Sequence, residues 1–139
     1  MTQLQSVQAM TDQQLNRALT EIQGYSVRKT GEHPDRYRMV NPNGQEFGIF
    51  QLTEGLVWNE YAFPYCSDPA ASLKVQAKAI EVNADEYVGN LHSVMCEVMS
   101  DDTYWTNGDI ATLLQATPRQ RAEAAYLTIK GAQHGTTKV

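Results

Sequence analysis

Two segments of this chain share one helix-opening pattern, and that pattern constrains the fold more than any other feature. Asp68 stands directly before Pro69, and Thr117 stands directly before Pro118. A side-chain oxygen just before a helix can accept hydrogen bonds from free backbone N–H groups, and proline suits the first helical position because it has no N–H to lose. Both segments lead into alanine-rich amphipathic stretches. The sequence therefore predicts two helices that lie flat on a sheet.

A third helix is predicted to begin at Thr11, because Thr11 and Gln14 have the spacing of a capping box. Thr117 and Gln120 have the same spacing. The first helix carries apolar residues at helical steps and is expected to end at Gly24, since glycine is favoured just beyond a helix. Residues 1–10 are polar and are expected to be frayed.

Three short strands are predicted between the first two capped helices. Residues 25–30 and 36–40 alternate in the manner of strands, and residues 46–52 return after the turn Asn41-Pro42-Asn43-Gly44, so the last two form a hairpin. Residues 53–65 are rich in aromatic side chains and are interpreted as irregular. The expected fold is a small α/β domain, an α-β-α sandwich in which helices cover an antiparallel or mixed sheet.

The remaining helices are predicted from apolar periodicity. The second helix covers about Pro69–Val82, and the last follows Pro118 and ends at Gly131. Their inward residues are expected to be Ala70, Leu73, Ala77 and Ile80 in the second, and Ala122, Ala125, Tyr126 and Ile129 in the last. A strand is preferred over a helix for residues 87–98, on β-branched and aromatic content. The domain is expected at 11–131, with a flexible tail at 132–139.

Composition narrows the functional classes. The 139 residues carry a net charge of −5, so binding to generic nucleic acid, which needs a basic surface, is not expected. No stretch is long and apolar enough for a membrane span, and a cytoplasmic protein is predicted. The histidines are scattered, Asp101-Asp102 is interpreted as a solvated turn, and neither a metal nor a cofactor is predicted. Cys66 or Cys96 with His92 could form a nucleophile and base, but buried reduced thiols are the preferred interpretation.

The segments Gly24-Tyr25, Asn43-Gly44, Tyr65 to Ala71 and Ala116 to Ala124 together resemble the small bacteriophage proteins of the phage ABA sandwich family. The resemblance covers roughly residues 11–130. It implies an α-β-α sandwich encoded by a phage or prophage and expressed in a bacterial cytoplasm. The family has no settled function, and the resemblance implies no catalytic residues.

Candidate binding residues are aromatic and cationic. Aromatic rings stack on nucleobases, and arginine pairs with phosphates, especially in the first turn of a helix. The candidate ligand-binding residues are Trp58, Tyr65, Tyr104, Trp105, Arg119 and Arg121. The alternative is that Trp58 and Tyr65 close the core while Arg119 and Arg121 are surface charges. One of the two arginines is expected to pair with Glu123 or to lie at a subunit contact.

Two functions follow as hypotheses. In the first, the chain is a non-enzymatic phage accessory protein, a homo-oligomer that binds and sequesters a small anionic, nucleotide-like host immune signal. In the second, it is a protein-binding module that inhibits a host defence protein. No catalytic motif is present in the sequence, and the prediction is that the protein is not an enzyme.

Overall fold

The computed structural model describes residues 2–30, 36–96 and 105–135. It confirms a mixed α/β fold with helices and a three-stranded antiparallel sheet. The elements in chain order are α1 (Gln3–Gln8), α2 (Asp12–Ile22), β1 (Ser26–Thr30), β2 (Arg36–Val40), β3 (Glu46–Gln51), α3 (Glu54–Tyr61), α4 (Pro69–Met95), α5 (Asn107–Leu114) and α6 (Pro118–Gly135). None of the described helices could cross a membrane, since none combines the necessary length with enough apolar character.

The chain divides into two compact units. Unit 1 comprises residues 1–15 and 64–139, and unit 2 comprises residues 16–63. The single domain predicted over residues 11–131 stays a prediction.

The three predicted helix starts are confirmed, each by its capping contacts. The Thr11 hydroxyl accepts from the backbone N–H of Gln14, and Thr117 does the same for Gln120, both at 3.1 Å. The Asp68 carboxylate accepts from the N–H of Ala70 at 2.9 Å. These local bonds satisfy backbone donors that a helix start otherwise leaves without partners. They also explain why local sequence sufficed to locate the starts.

Unit 2 contains the sheet, in the order β1-β2-β3. The turn before β3 is as predicted, with Gly44 at a φ of 85°. Helix α3 packs against all three strands and contributes Val57 and Trp58 to a core that also contains Met39. Residues 53–65 were interpreted as irregular, but residues 54–61 form helix α3. Thr53 caps this helix, because its hydroxyl accepts a hydrogen bond from the N–H of Leu56 at 3.2 Å.

Unit 1 is helical and is built on the packing of α4 against α6. Helix α4 consists of two helical segments joined by a kink at Asn83, whose backbone is non-helical (φ −165°, ψ 99°), so the first segment ends at Val82, as predicted. The strand predicted for residues 87–98 is wrong for residues 87–95, which are helical. Residues 97 and 98 lie outside the described part of the chain. Tyr87 and Leu91, four residues apart, are buried on one helical face. Packing in unit 1 therefore overrides the β propensity of this stretch.

Three further predictions in unit 1 need correction. Residues 3–8 form helix α1 with Val7 buried, although fraying was expected. Helix α6 continues past Gly131 to Gly135, into the predicted tail; its four predicted inward residues are buried, as expected. The inward face of α4 is different from the predicted one: Ser72, Val75 and Ala79 are buried. The predicted face of Ala70, Leu73, Ala77 and Ile80 is not buried.

Candidate functional site

Arg119, the principal candidate for an anion site, is the centre of a hydrogen-bond cluster inside unit 1. Its Nε donates to Glu123 Oε2 at 2.8 Å and one terminal nitrogen donates to Asp12 Oδ1 at 2.9 Å. The other terminal nitrogen donates to the backbone carbonyls of Met10 at 2.8 Å and Val7 at 3.1 Å. Because a guanidinium has five N–H groups, these bonds and a longer one to Cys66 engage its full donor capacity.

The charge of Arg119 is compensated from within the chain. Burial lowers the pKa of Arg119, but the hydrogen bond and the negative charge of Glu123 outweigh that effect and leave the pKa above its ordinary value. Glu123 is buried, so this pair is held in a poorly hydrated place. The pairing with Glu123 was one of the two alternatives expected for an arginine here. This geometry fits a structural anchor that fastens α6 to the backbone of residues 7–12.

Cys66 lies against the same cluster. Its thiol donates to the backbone carbonyl of Asp12 at 3.8 Å. Burial raises the pKa of Cys66 to about 11, although the positive charge of Arg119 opposes this. Since the thiolate is the form that attacks electrophiles and binds metals, a thiol held protonated at neutral pH is a poor nucleophile. Cys66 and Cys96 do not form a disulfide.

Arg121 is also engaged inside unit 1. Its Nε donates to the hydroxyl of Ser72 at 3.0 Å, and a terminal nitrogen donates to the backbone carbonyl of Ala116 at 2.6 Å. Ser72 is fully buried in α4. Arg121 therefore links α6 to α4, rather than standing in solvent as a surface charge.

The predicted stacking residues lie in different environments. Trp58 is buried in unit 2, where the Arg17 guanidinium lies 5.0 Å from its ring centre, and Tyr65 is buried in unit 1. Trp105 is 43% exposed, with its ring edge-on to His92 at 4.7 Å between centres. Tyr104 lies outside the described residues, as do Asp101 and Asp102. The structure thus places Tyr65, Trp105, Arg119 and Arg121 in one unit and Trp58 in the other.

Sequence reasoning missed an exposed apolar segment where β3 leads into α3. We call this the β3–α3 segment, defined by four large side chains with their exposed fractions: Ile49 (70%), Phe50 (42%), Leu52 (67%) and Leu56 (46%). A usable signal was present, because adjacent Ile49 and Phe50 would point to opposite faces of a regular strand. An apolar pair of this kind indicates a strand that needs cover on both faces.

The backbone beneath the β3–α3 segment is held in a bulge. The β2–β3 register shifts between Tyr37 and Met39, and Gly48 has a φ of 82°. The Tyr61 hydroxyl accepts from the N–H of Ile49 at 2.6 Å, and Arg38 Nε donates to the carbonyl of Gly48 at 3.0 Å. Two backbone groups of this edge strand, the N–H of Ile49 and the carbonyl of Gly48, are therefore already hydrogen-bonded to side chains of unit 2. They are not available to pair with another strand.

The described residues hold no cluster of three or more His, Cys, Asp or Glu side chains placed to bind a metal ion. No family model, curated protein or solved structure matches this chain.

Proposed function

We propose that this chain is a non-enzymatic protein-binding module and that the β3–α3 segment is its recognition surface. The observation that carries the proposal is the concentration of four exposed large hydrophobic side chains within residues 49–56. Exposing apolar surface to water is unfavourable in free energy, and binding to a partner removes that surface from water. In the phage context that the sequence resemblance implies, the partner is a defence protein in the cytoplasm of a bacterial host.

The chemistry of the segment defines the kind of partner. Because the N–H of Ile49 and the carbonyl of Gly48 already have partners, recognition by an added β-strand is disfavoured at this position. The partner should present apolar side chains, with an acidic group near Arg38, whose guanidinium lies 5.0 Å from the Phe50 ring centre. An apolar helix face bordered by a carboxylate meets both requirements.

The alternative, sequestration of a nucleotide-like signal, stays a hypothesis with less support from the geometry. Its principal anion-binding candidate, Arg119, has five N–H groups directed to groups of the chain itself.

The test is site-specific photo-crosslinking in bacterial cells that express the chain. A photo-reactive side chain at Leu52 should give a discrete adduct with a second protein, whereas one at the exposed turn residue Asn43 should not. Ile49→Ser in the Leu52-labelled chain should abolish the adduct, because it removes the most exposed apolar side chain of the segment. Equal adducts from both positions, an adduct only with a second copy of this chain, or no adduct at all would contradict the proposal.

The competing hypothesis has its own measurement. Thermal unfolding in the presence of cyclic nucleotides and cyclic ADP-ribose isomers should leave the melting temperature unchanged if the chain is a protein-binding module. A nucleotide that raises the melting temperature, with the rise lost in Trp58→Ala or Arg119→Ala relative to each variant alone, would favour sequestration.

A further inference from the structure

The sheet of unit 2 has one face packed into the core and one face that carries exposed side chains. The core face carries Val27, Met39 and Phe47, which pack with α3. Side chains alternate between the two faces along a strand, so the residues next to these lie on the other face. We call that face the arginine face and define it by the residues Ser26, Arg28, Arg36, Arg38 and Phe50.

The strand register brings the three arginines together. Arg28 of β1 lies directly opposite Arg38 of β2. Opposite residues of an antiparallel pair share one side of the sheet, with Cβ atoms about 5 Å apart. Arg36 precedes Arg38 by two residues on the same strand and therefore lies about 7 Å from it on the same side. Because like charges set directly opposite each other destabilise a sheet, the chain alone carries an electrostatic repulsion at this place.

The chain itself leaves most donors of the arginine face unused. The Arg28 side chain is 54% exposed, and its terminal nitrogen lies 3.9 Å from Glu46 Oε2, which is too long for a hydrogen bond. Within the described residues, neither Arg28 nor Arg36 donates a side-chain hydrogen bond. Arg119, by contrast, directs its five N–H groups to groups of its own unit. The arginines available to an anionic partner are therefore those of the sheet.

Arg38 connects the arginine face to the β3–α3 segment. Its Nε donates to the carbonyl of Gly48 at 3.0 Å, and its guanidinium lies 5.0 Å from the ring centre of Phe50. These contacts hold the guanidinium in place, while its terminal nitrogens donate to no group among the described residues. Phe50 belongs to both surfaces, so the two are continuous. From β1 to β3 the sheet is about 10 Å wide, which is about the diameter of one helix.

An acidic amphipathic helix fits this combination of charge and apolar surface. Carboxylates four residues apart on a helix have Cβ atoms about 5–6 Å apart, close to the spacing of the three arginines. Each carboxylate can accept a pair of hydrogen bonds from one guanidinium. A single-stranded nucleic acid also supplies anionic groups, but it would leave Ile49 and Leu52 exposed. The described part of the arginine face offers it one aromatic ring, that of Phe50, for stacking.

We propose that the arginine face binds a row of carboxylates on the partner protein, along the flank of the helix whose apolar side covers the β3–α3 segment. The inference rests on the proposed function and narrows the partner to proteins with an amphipathic helix that carries Asp or Glu one turn apart. A carboxylate placed between Arg28 and Arg38 also removes the repulsion between them. Charge complementarity of this kind selects the partner and speeds its association.

Photo-crosslinking from a second position tests where the acidic flank lies. A photo-reactive side chain at Ser26, which is exposed on the arginine face, should capture the same protein as one at Leu52. Mass spectrometry of the Ser26 adduct should identify a segment of that protein with Asp or Glu residues three or four apart. A captured segment without acidic residues, or an adduct that nuclease treatment removes, would overturn the inference.

Charge reversal tests the arginines directly. In the Leu52-labelled chain, Arg28→Glu should lower the yield of the adduct about tenfold, because it replaces an attractive charge with a repulsive one. The melting temperature should not fall, since the variant turns the like-charge pair with Arg38 into an opposite-charge pair. Lys29→Glu is the matched control. It makes the same charge change on the other side of the strand and should leave the yield unchanged.

The outcomes separate this inference from the proposed function. If Arg28→Glu and Lys29→Glu lower the yield equally, or neither lowers it, the inference is wrong. The proposed function then stands, provided that Ile49→Ser still abolishes the Leu52 adduct. Absence of any adduct from Leu52 would contradict the proposed function and, with it, this inference.

Discussion

At the scale of single residues, unit 1 depends on an arginine that sequence reasoning assigned to ligand binding. The Arg119 side chain is 22% exposed, and that of its ion-pair partner Glu123 is 8% exposed. A buried pair of this kind is costly to break, because the remaining charge is left without compensation in a poorly hydrated place. The same guanidinium also satisfies two backbone carbonyls of the N-terminal segment.

We expect Arg119→Ala to lower the free energy of unfolding by about 2–4 kcal/mol, measured by urea denaturation. The matched control is Glu21→Ala, which breaks the Arg17–Glu21 pair, another arginine and glutamate four residues apart. Because both side chains of that pair are more than 40% exposed, its loss should cost less than about 1 kcal/mol. Equal losses in the two variants would show that Arg119 is not an anchor.

Cys66 gives a prediction on pH dependence. Burial raises the pKa of its thiol from 9.0 to about 11, so the folded state favours the protonated form. The contribution of Cys66 to stability is therefore fully present below pH 9 and is lost as the pH rises through about 11. Cys66→Ala should remove this component and flatten the alkaline limb of the stability profile. Identical slopes for wild type and variant between pH 9 and 11 would contradict the assignment.

At the scale of secondary-structure elements, β3 is shaped by a glycine and a tyrosine. A Cβ at Gly48 would lie 2.5 Å from Tyr61 Cζ, closer than any van der Waals contact allows. Tyr61 cannot withdraw easily, since its hydroxyl accepts from Ile49 and its ring packs edge-on against Phe47 at 5.9 Å between centres. The bulge and the orientation of the β3–α3 segment therefore depend on the absence of a side chain at this position.

We expect Gly48→Ala to destabilise unit 2 by about 2–4 kcal/mol, from the backbone strain of a positive φ together with the steric clash. Gly44→Ala separates the two effects, because Gly44 has a similar φ of 85° but a Cβ added there would meet no atom within 4 Å. It should cost only about 1 kcal/mol. Thermal or urea denaturation measures both, and equal costs would remove the role assigned to Tyr61.

At the scale of the whole molecule, the proposed recognition surface belongs to one of the two compact units. The β3–α3 segment lies in unit 2. Each unit has buried hydrophobic residues of its own, such as Met39 and Val57 in unit 2, and Val75 and Ile129 in unit 1. A substitution of an exposed side chain in unit 1 should therefore leave the β3–α3 segment intact.

We expect partner recognition to depend on the exposed apolar side chains of unit 2. Ile49→Ser should abolish the crosslinked adduct with the protein partner, whereas Leu114→Ser, which changes a 79% exposed leucine of unit 1, should leave it in place. Photo-crosslinking from position 52 on both variants provides the measurement. Loss of the adduct in both variants would show that recognition is not specific to the β3–α3 segment.

Local sequence by itself determined the helix starts, the hairpin and the mixed α/β class. Thr11, Asp68 and Thr117 cap helices through side chains that lie within three residues of the groups they bond, so no distant part of the chain is needed to place them. The turn ending at Gly44 is equally local.

Tertiary structure alone decided what covers each apolar face and where each arginine points. The buried side of α4 carries the polar residue Ser72, whereas the exposed side carries Leu73 and Ile80, so apolar periodicity indicated the wrong side. Residues 87–95 have β propensity, but the packing of Tyr87 and Leu91 makes them helical. Arg119 lies in the first turn of α6, where an arginine can help to bind an anion. Its partners at Asp12, Met10 and Val7, however, are more than 100 residues distant in the chain. Contacts between residues so far apart arise from the folded arrangement and leave no local pattern in the sequence.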